Sequence, residues 1–135
     1  MILSTLAAIF LSTSTPAPVT IEVGRAQWDR FPSLEKRGRE LPVSTMVGLV
    51  EEMLASKQCE LEGQSAKRFD ITVPYAVMLG PDGYAQRIVV ADVGCAPLET
   101  MIGQAVYGLS SSGNFSKSGA KTGRWYVDEV SLILQ

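Results

Sequence analysis

The chain carries side chains suited to carboxylate chemistry and to disulfide formation, but it carries no histidine. Its 135 residues include 14 acidic residues, 12 basic residues, two cysteines and no histidine. Ser-His-Asp and Cys-His nucleophilic sites need an imidazole, and so do all His-ligated zinc, copper and non-haem iron sites. The composition therefore excludes these sites within this chain, and it leaves carboxylate and Ser-Lys chemistry open.

The candidates for acid–base catalysis are four carboxylates: Asp82, Asp92, Asp128 and Glu129. Paired acid–base catalysis requires two groups within reach of one substrate, and nothing in the sequence brings two of these together. Asp82 also belongs to a predicted turn. We therefore predict that the protein is not an enzyme and needs no cofactor or metal ion. A small carboxylate-dependent enzyme is the alternative.

The sequence gives little support for nucleotide or nucleic-acid binding. The segment from Gly119 to Thr122 is similar to a phosphate-binding loop, but an alanine separates its glycine from its lysine. The segment also follows a predicted helix instead of connecting a strand to one. The formal net charge is −2, whereas a nucleic-acid-binding face is basic. We expect neither ligand.

Residues 1–18 have features of a secretory signal peptide. The run from Ile2 to Leu11 is apolar, and small and polar residues follow it up to Ala17. A helix of this length, about 15 Å, is too short to span a bilayer. The usual basic n-region is missing, because the first Lys or Arg is Arg25. We predict a signal peptide at residues 1–18, one domain at residues 19–135 and a periplasmic or secreted location; a buried N-terminal strand or helix is the alternative.

The two cysteines agree with an exported protein. An even number of cysteines in an oxidising compartment favours one disulfide, Cys59 to Cys95. The closed loop of roughly 37 residues would stabilise the fold by about 3–4 kcal/mol in the chain-entropy model. The alternative is a pair of buried thiols in a cytosolic protein, so this prediction depends on the signal peptide.

A β-hairpin at residues 69–93 is the element around which the rest is predicted to pack. Every second residue of the first strand, residues 69–79, is apolar, as in a strand with one buried face. Residues 80–83 predict a type I turn closed by a glycine bulge, because the proline presets φ and the last glycine accepts positive φ. For the second strand two inward-facing sets remain open: Ile88 with Val90, or Val89 with Ala91 and Val93.

Two amphipathic helices flank the hairpin. Ser44 or Thr45 is predicted to cap the first, which runs to about Lys57. The second begins at Pro97, and its apolar stripe ends at Leu109, where a loop follows. In the polar segment before the first helix, two aromatic residues are predicted to pin a loop or short helix onto the body: Trp28 and Phe31.

These elements predict an α+β two-layer sandwich. The last strand, Trp125 to Leu134, would run antiparallel to the first, which gives a three-stranded antiparallel sheet of order 2-1-3 with both helices on one face. The last strand then lies at an unpaired edge. Pro74 in the middle strand cannot donate to a ladder, so we expect a bulge or break there, with regular pairing from about Tyr75 onward. The segment from Val19 to Val23 is either a short strand or an extended lead-in.

Several motifs in residues 63–134 occur in a distinctive order. They are the strand Ile71 to Val77 with its Pro81-Asp82-Gly83 turn, the strand Arg87 to Val90 with its Asp92-Val93-Gly94 exit, the helix from Pro97 and the closing strand from Trp125. This series resembles the periplasmic C-terminal domain of the TonB family, and we expect a divergent relative without the membrane anchor. In that family the domain serves transport by binding an extended receptor segment at a sheet edge.

The resemblance implies a secreted module that pairs an extended peptide, or a segment of a membrane protein, with its edge strand. The implied binding residues are Trp125, Tyr126, Val127, Asp128, Glu129 and Val130. A structural envelope protein that forms a homodimer through the same edge is a further alternative.

Overall fold

The structure is a computed structural model that describes residues 19–25, 28–35, 39–81, 83–113, 115 and 124–135. The predicted signal peptide at residues 1–18 lies outside these ranges. So do Asp82 and the segment from Gly119 to Thr122.

The described residues form four β-strands and two α-helices. In chain order these are β1 (Thr20–Gly24), α1 (Val43–Ala55), β2 (Phe69–Leu79), β3 (Ala85–Ala91), α2 (Ala96–Ser111) and β4 (Trp125–Leu134). A short 3₁₀ helix, Trp28–Arg30, lies between β1 and α1. The strands form one mixed sheet in the order β1-β3-β2-β4. The α+β class is therefore as predicted.

The sheet has one strand more than the sequence predicted. β2 pairs antiparallel with both β3 and β4, which confirms the order of those three strands. β1 pairs in parallel with β3, with Thr20 opposite Arg87 and Gly24 opposite Ala91. The prediction of a three-stranded, purely antiparallel sheet is therefore wrong. A parallel pair is joined through a long connection and has no hairpin turn to reveal it, so the short alternating segment does not identify its partner.

The hydrophobic core lies on the helix-covered face of the sheet. Alternate residues of β2 from Phe69 to Leu79 are buried there, as their period predicted. Both helices contribute to the same buried cluster. On β3 the inward residues are Ile88 and Val90, which decides between the two registers left open by the sequence.

Pro74 lies within an unbroken strand, so the prediction of a break at this position is wrong. The irregularity in β2 is instead a register shift between Met78 and Leu79. Pro74 opposes Glu129 of β4 at a position where backbone groups point away from the β2–β4 ladder. On its other side, pairing with β3 begins at Tyr75, as the sequence predicted. The missing N–H therefore removes no ladder hydrogen bond.

Helix boundaries differ from the predicted ones by a few residues. α1 begins at Val43, and the preceding non-helical residue is Pro42, whose carbonyl accepts the N–H of Met46. Ser44 and Thr45 lie inside the first turn, and no side chain caps the helix, so the predicted cap is wrong. α2 continues to Ser111 instead of ending near Leu109.

A disulfide and a buried carboxylate hold the connection between β3 and α2. Cys59 and Cys95 form the predicted disulfide. Glu99 is buried, and its carboxylate accepts the backbone N–H groups of Val93 at 2.7 Å and Gly94 at 3.2 Å. Gly94 has a φ of 82°, a left-handed conformation that favours glycine. The carboxylate therefore satisfies two donors that the turn takes out of regular pairing.

The C-terminal end of α2 is joined to the start of β3 by a buried hydroxyl. The N–H of Ala85 donates to Oγ of Ser110 at 2.6 Å. Both residues are buried, so water does not provide a substitute acceptor. This hydrogen bond therefore ties the end of α2 to the point where the hairpin turn enters β3.

Replacing Ser110 with alanine should lower the free energy of unfolding by about 1–3 kcal/mol, because it leaves the N–H of Ala85 buried without an acceptor. Urea denaturation measures the change. The matched control is Ser111→Ala at the neighbouring exposed position, which should change stability by less than about 0.5 kcal/mol. Equal losses in the two variants would show that the Ala85–Ser110 bond does not stabilise the fold.

Candidate functional site

The six residues predicted to bind a partner divide between the two faces of β4. One set points toward the helices: Tyr126, Asp128 and Val130. The other set points to the opposite face of the sheet, which we call the open face: Trp125, Val127 and Glu129. Tyr126 and Val130 are buried in the core cluster. A partner strand at the outer edge would therefore not meet the side chains of these two residues, and their backbone groups point toward β2.

The outer edge of β4 is partly paired by the chain itself. The N–H of Val127 donates to the carbonyl of Pro32 at 2.9 Å, and the carbonyl of Val127 accepts the N–H of Leu34 at 2.7 Å. Ser33 stands opposite Val127 in a parallel bridge. Residues 28–35, which we call the strap, thus occupy the middle of the predicted binding segment. The expectation that this edge is unpaired from Trp125 onward is wrong at Val127.

The strap contacts both faces of the sheet as it crosses this edge. The ring of Phe31 stacks on Trp125 with centroids 6.2 Å apart and planes inclined by 23°. Trp28 packs against the core, and Leu34 is buried within it. The aromatic residues of the polar segment therefore pin the strap onto the body, as the sequence predicted. The sequence did not indicate that the strap would pair with β4.

The C-terminal half of β4 presents backbone groups on its outer side. Successive residues of a strand direct their N–H and C=O groups to opposite edges, so Ser131 and Ile133 point outward as Val127 does. No other backbone group in the described part of the chain bonds to them on that side. Glu129 also points outward, and its N–H donates to the Asp128 carboxylate at 2.8 Å. Ser131 and Ile133 lie beyond the segment predicted from the sequence, Trp125 to Val130, although the alternation of that segment extends to them.

A polar cleft of about 310 Å³ lies at the C-terminal end of β4. Leu134 and Gln135 form one side, and Gln64, Arg68 and Asp70 are among the residues on the other side. Gln64 is held in place because its side-chain carbonyl accepts the N–H of Asp70 at 2.8 Å. The open part of the β4 edge therefore ends beside a polar surface.

Tyr75 and Asp128 form a polar pair beneath the helices. The Tyr75 hydroxyl donates to Oδ2 of Asp128 at 3.3 Å, and the residues are direct neighbours across the β2–β4 ladder. Burial raises the pKa of the Tyr75 phenol far above its ordinary value, and the negative charges of Asp128 and Glu40 raise it further. The phenol is thus held neutral, as a hydrogen-bond donor, throughout the range in which an exposed tyrosine would ionise.

Among the residues that the structure describes, the candidate acid–base carboxylates do not lie together at one site. Oδ1 of Asp92 accepts the N–H of Gly94 at 3.1 Å in the β3–α2 connection. Asp128 and Glu129 are neighbours in sequence, but they point to opposite faces of the sheet. Among the described residues, no group of three or more His, Cys, Asp or Glu side chains is placed to hold a metal ion.

Because of Tyr75, the stability of the fold should depend on pH in the alkaline range. The pKa of Tyr75 is raised in the folded state. The stability that this group contributes is therefore fully present below its unfolded-state pKa of about 10, and it is lost as the pH rises beyond that value. At pH 11 the parent protein should have lost about 1.4 kcal/mol through ionisation of this tyrosine in the unfolded state, and Tyr75→Phe should lack this loss.

Urea midpoints at pH 8 and pH 11 measure this difference. Tyr107→Phe is the matched control, because it makes the same substitution at a side chain that is 44% exposed on α2. Identical pH dependence in the parent protein and in Tyr75→Phe would contradict the raised pKa.

Comparison with known proteins adds no relative to this geometry. Searches against protein-family models, curated proteins and solved structures found no match.

Proposed function

We propose that this protein is an extracytoplasmic protein-binding module of the TonB C-terminal-domain type that captures an extended peptide at the outer edge of β4. One observation carries the proposal: the parallel bridge between Ser33 and Val127. The chain itself pairs a short extended segment with this edge through two backbone hydrogen bonds, which supports the idea that the edge can accept an added segment. In this proposal the protein has no catalytic role.

The partner peptide pairs with the part of the edge that lies beyond the strap. Ser131 and Ile133 together offer two N–H donors and two C=O acceptors on the outer side. Each hydrogen bond contributes only about 0.5–1.5 kcal/mol net, so side-chain contacts must add to the affinity. The residues that flank the backbone groups therefore determine which peptide binds.

Side chains on the open face indicate the chemistry of that peptide. Glu129 is exposed, and Ile133 is 46% exposed on the same face of β4. Directly opposed side chains of paired strands interact, and opposite charges or two apolar groups are the favourable combinations. We expect a peptide with a basic residue opposite Glu129 and an apolar residue opposite Ile133.

An extracytoplasmic location is part of the same proposal. The Cys59–Cys95 disulfide is compatible with an oxidising compartment such as the periplasm or the exterior of the cell. Within the described residues, no helix has the length and apolarity needed to cross a membrane.

A peptide selected from a random display library against the folded protein provides the test. Ser131→Pro should weaken its binding at least about tenfold, because proline removes the outward N–H without removing a bond to β2. Ser131→Ala keeps that N–H and should bind as the parent protein does. Isothermal titration calorimetry measures both, and light scattering detects the alternative, a homodimer through this edge.

Hydrogen exchange gives an independent test of the binding mode. Bound peptide should slow exchange of the Ser131 and Ile133 amides, and the Leu132 amide, which faces β2, should be slow with or without peptide. Unchanged binding by Ser131→Pro, or protection confined to other strands, would refute edge pairing.

A further inference from the structure

A cleft of about 350 Å³ lies on the open face of the sheet, at the other end of β4. Its lining includes two aromatic side chains, Phe31 and Trp125, and the floor is formed by Val89 with the backbone of Gly24. Gly24 has no side chain to fill this space, and no heavy atom lies within 4 Å of the position that a Cβ would take there. This volume falls within the range of small-molecule sites, about 300–1,000 Å³.

The charged side chains of the cleft are two arginines and one glutamate: Arg25, Arg87 and Glu22. Arg87 lies over the Trp125 ring, with its guanidinium carbon 5.1 Å from the ring centroid. One of its nitrogens, Nη2, donates to both oxygens of Glu22 at 3.2 and 3.4 Å. A guanidinium has five N–H donors in a planar fork, so most of those of Arg87 are not used by Glu22.

Arg25 adds a second, uncompensated positive charge. It is exposed, and no carboxylate in the described part of the chain forms an ion pair with it. Glu22 offsets one of the two guanidinium charges, so the cleft carries an excess of one positive charge. The whole chain, in contrast, has a formal net charge of −2. The cleft therefore attracts an anion, although the net negative charge of the whole chain weakly repels one.

From this geometry we propose that the cleft is a binding site for a small aromatic carboxylate. The flat body of the ligand lies against Phe31, Trp125 and Val89, where aromatic stacking and apolar burial both favour it. Its carboxylate accepts hydrogen bonds from Arg25 and from the unused donors of Arg87, and such charge-assisted bonds are the stronger class. The site is separate from the β4 edge at Ser131 and Ile133, and it does not depend on peptide binding.

The probe for this site is 2-naphthoate, with uncharged 2-naphthalenemethanol as its matched control. Titration followed by ¹H–¹⁵N NMR should show saturable shifts of the Trp125 indole N–H, with a dissociation constant of about 1 mM or tighter for a ligand of this size. Trp28 is the other tryptophan of the chain and is not part of the cleft lining, so its indole N–H serves as an internal reference. The alcohol should bind at least about tenfold more weakly, because it offers no carboxylate to the arginines.

Two variants distinguish a built site from nonspecific attraction. Arg25→Gln should weaken 2-naphthoate about tenfold, and it removes no intramolecular hydrogen bond or ion pair, so the fold should be retained. Arg68→Gln removes an exposed arginine outside the cleft and should leave the dissociation constant unchanged. Absence of saturation, equal affinity for the alcohol, or equal effects of the two variants would each overturn the proposal. Ser131→Pro should bind 2-naphthoate normally, so failure of edge pairing and failure of this site give different results.

Discussion

The continuous pairing of β2 with β4 is the constraint on which the other features depend. Ten consecutive residues of each strand stand opposite one another, from Phe69 with Leu134 to Met78 with Trp125. The side-chain period of a strand is two, so this register decides which β4 residues enter the core and which reach the open face. It also decides which backbone groups remain on the outer edge. A shift of one residue would bury Glu129 and expose Val130, so the core strongly favours the observed register.

β1 extends the sheet on the opposite side and creates a surface that three strands alone would lack. It contacts α2 where Gly103 has no side chain: a Cβ there would lie 2.5 Å from Cγ2 of Ile21. The glycine thus permits β1 to approach the helix closely enough to pair with β3. That pairing brings Glu22 and Arg25 beside Arg87 and Trp125. The charged cleft therefore depends on a packing contact made on the other face of the sheet.

The strap links the two candidate surfaces, although their chemistries differ. The β4 edge offers backbone hydrogen bonds, which are insensitive to the sequence of a partner, and its specificity must come from neighbouring side chains. The cleft offers rings and guanidinium groups, which select for planarity and charge. Phe31 lines the cleft, and the next three residues of the strap pair with Val127. The strap therefore forms one wall of the cleft and marks where the open part of the β4 edge begins.

The sequence by itself determined the parts of the fold that depend on local order. The alternation in β2, the helical stripe of α2 and the positive φ of Gly83 all follow from side-chain period and backbone sterics, which neighbouring residues control. Only the tertiary structure decided the parallel addition of β1, the inward set of β3 and the pairing of the strap with Val127. These features join segments that are distant in the chain. The packing of the assembled core selects which segments pair, and no local sequence pattern encodes that choice. The predicted binding segment was Trp125 to Val130, but the part of the β4 edge that the strap leaves open lies further along, because backbone pairing at an edge depends on which other segments fold against it.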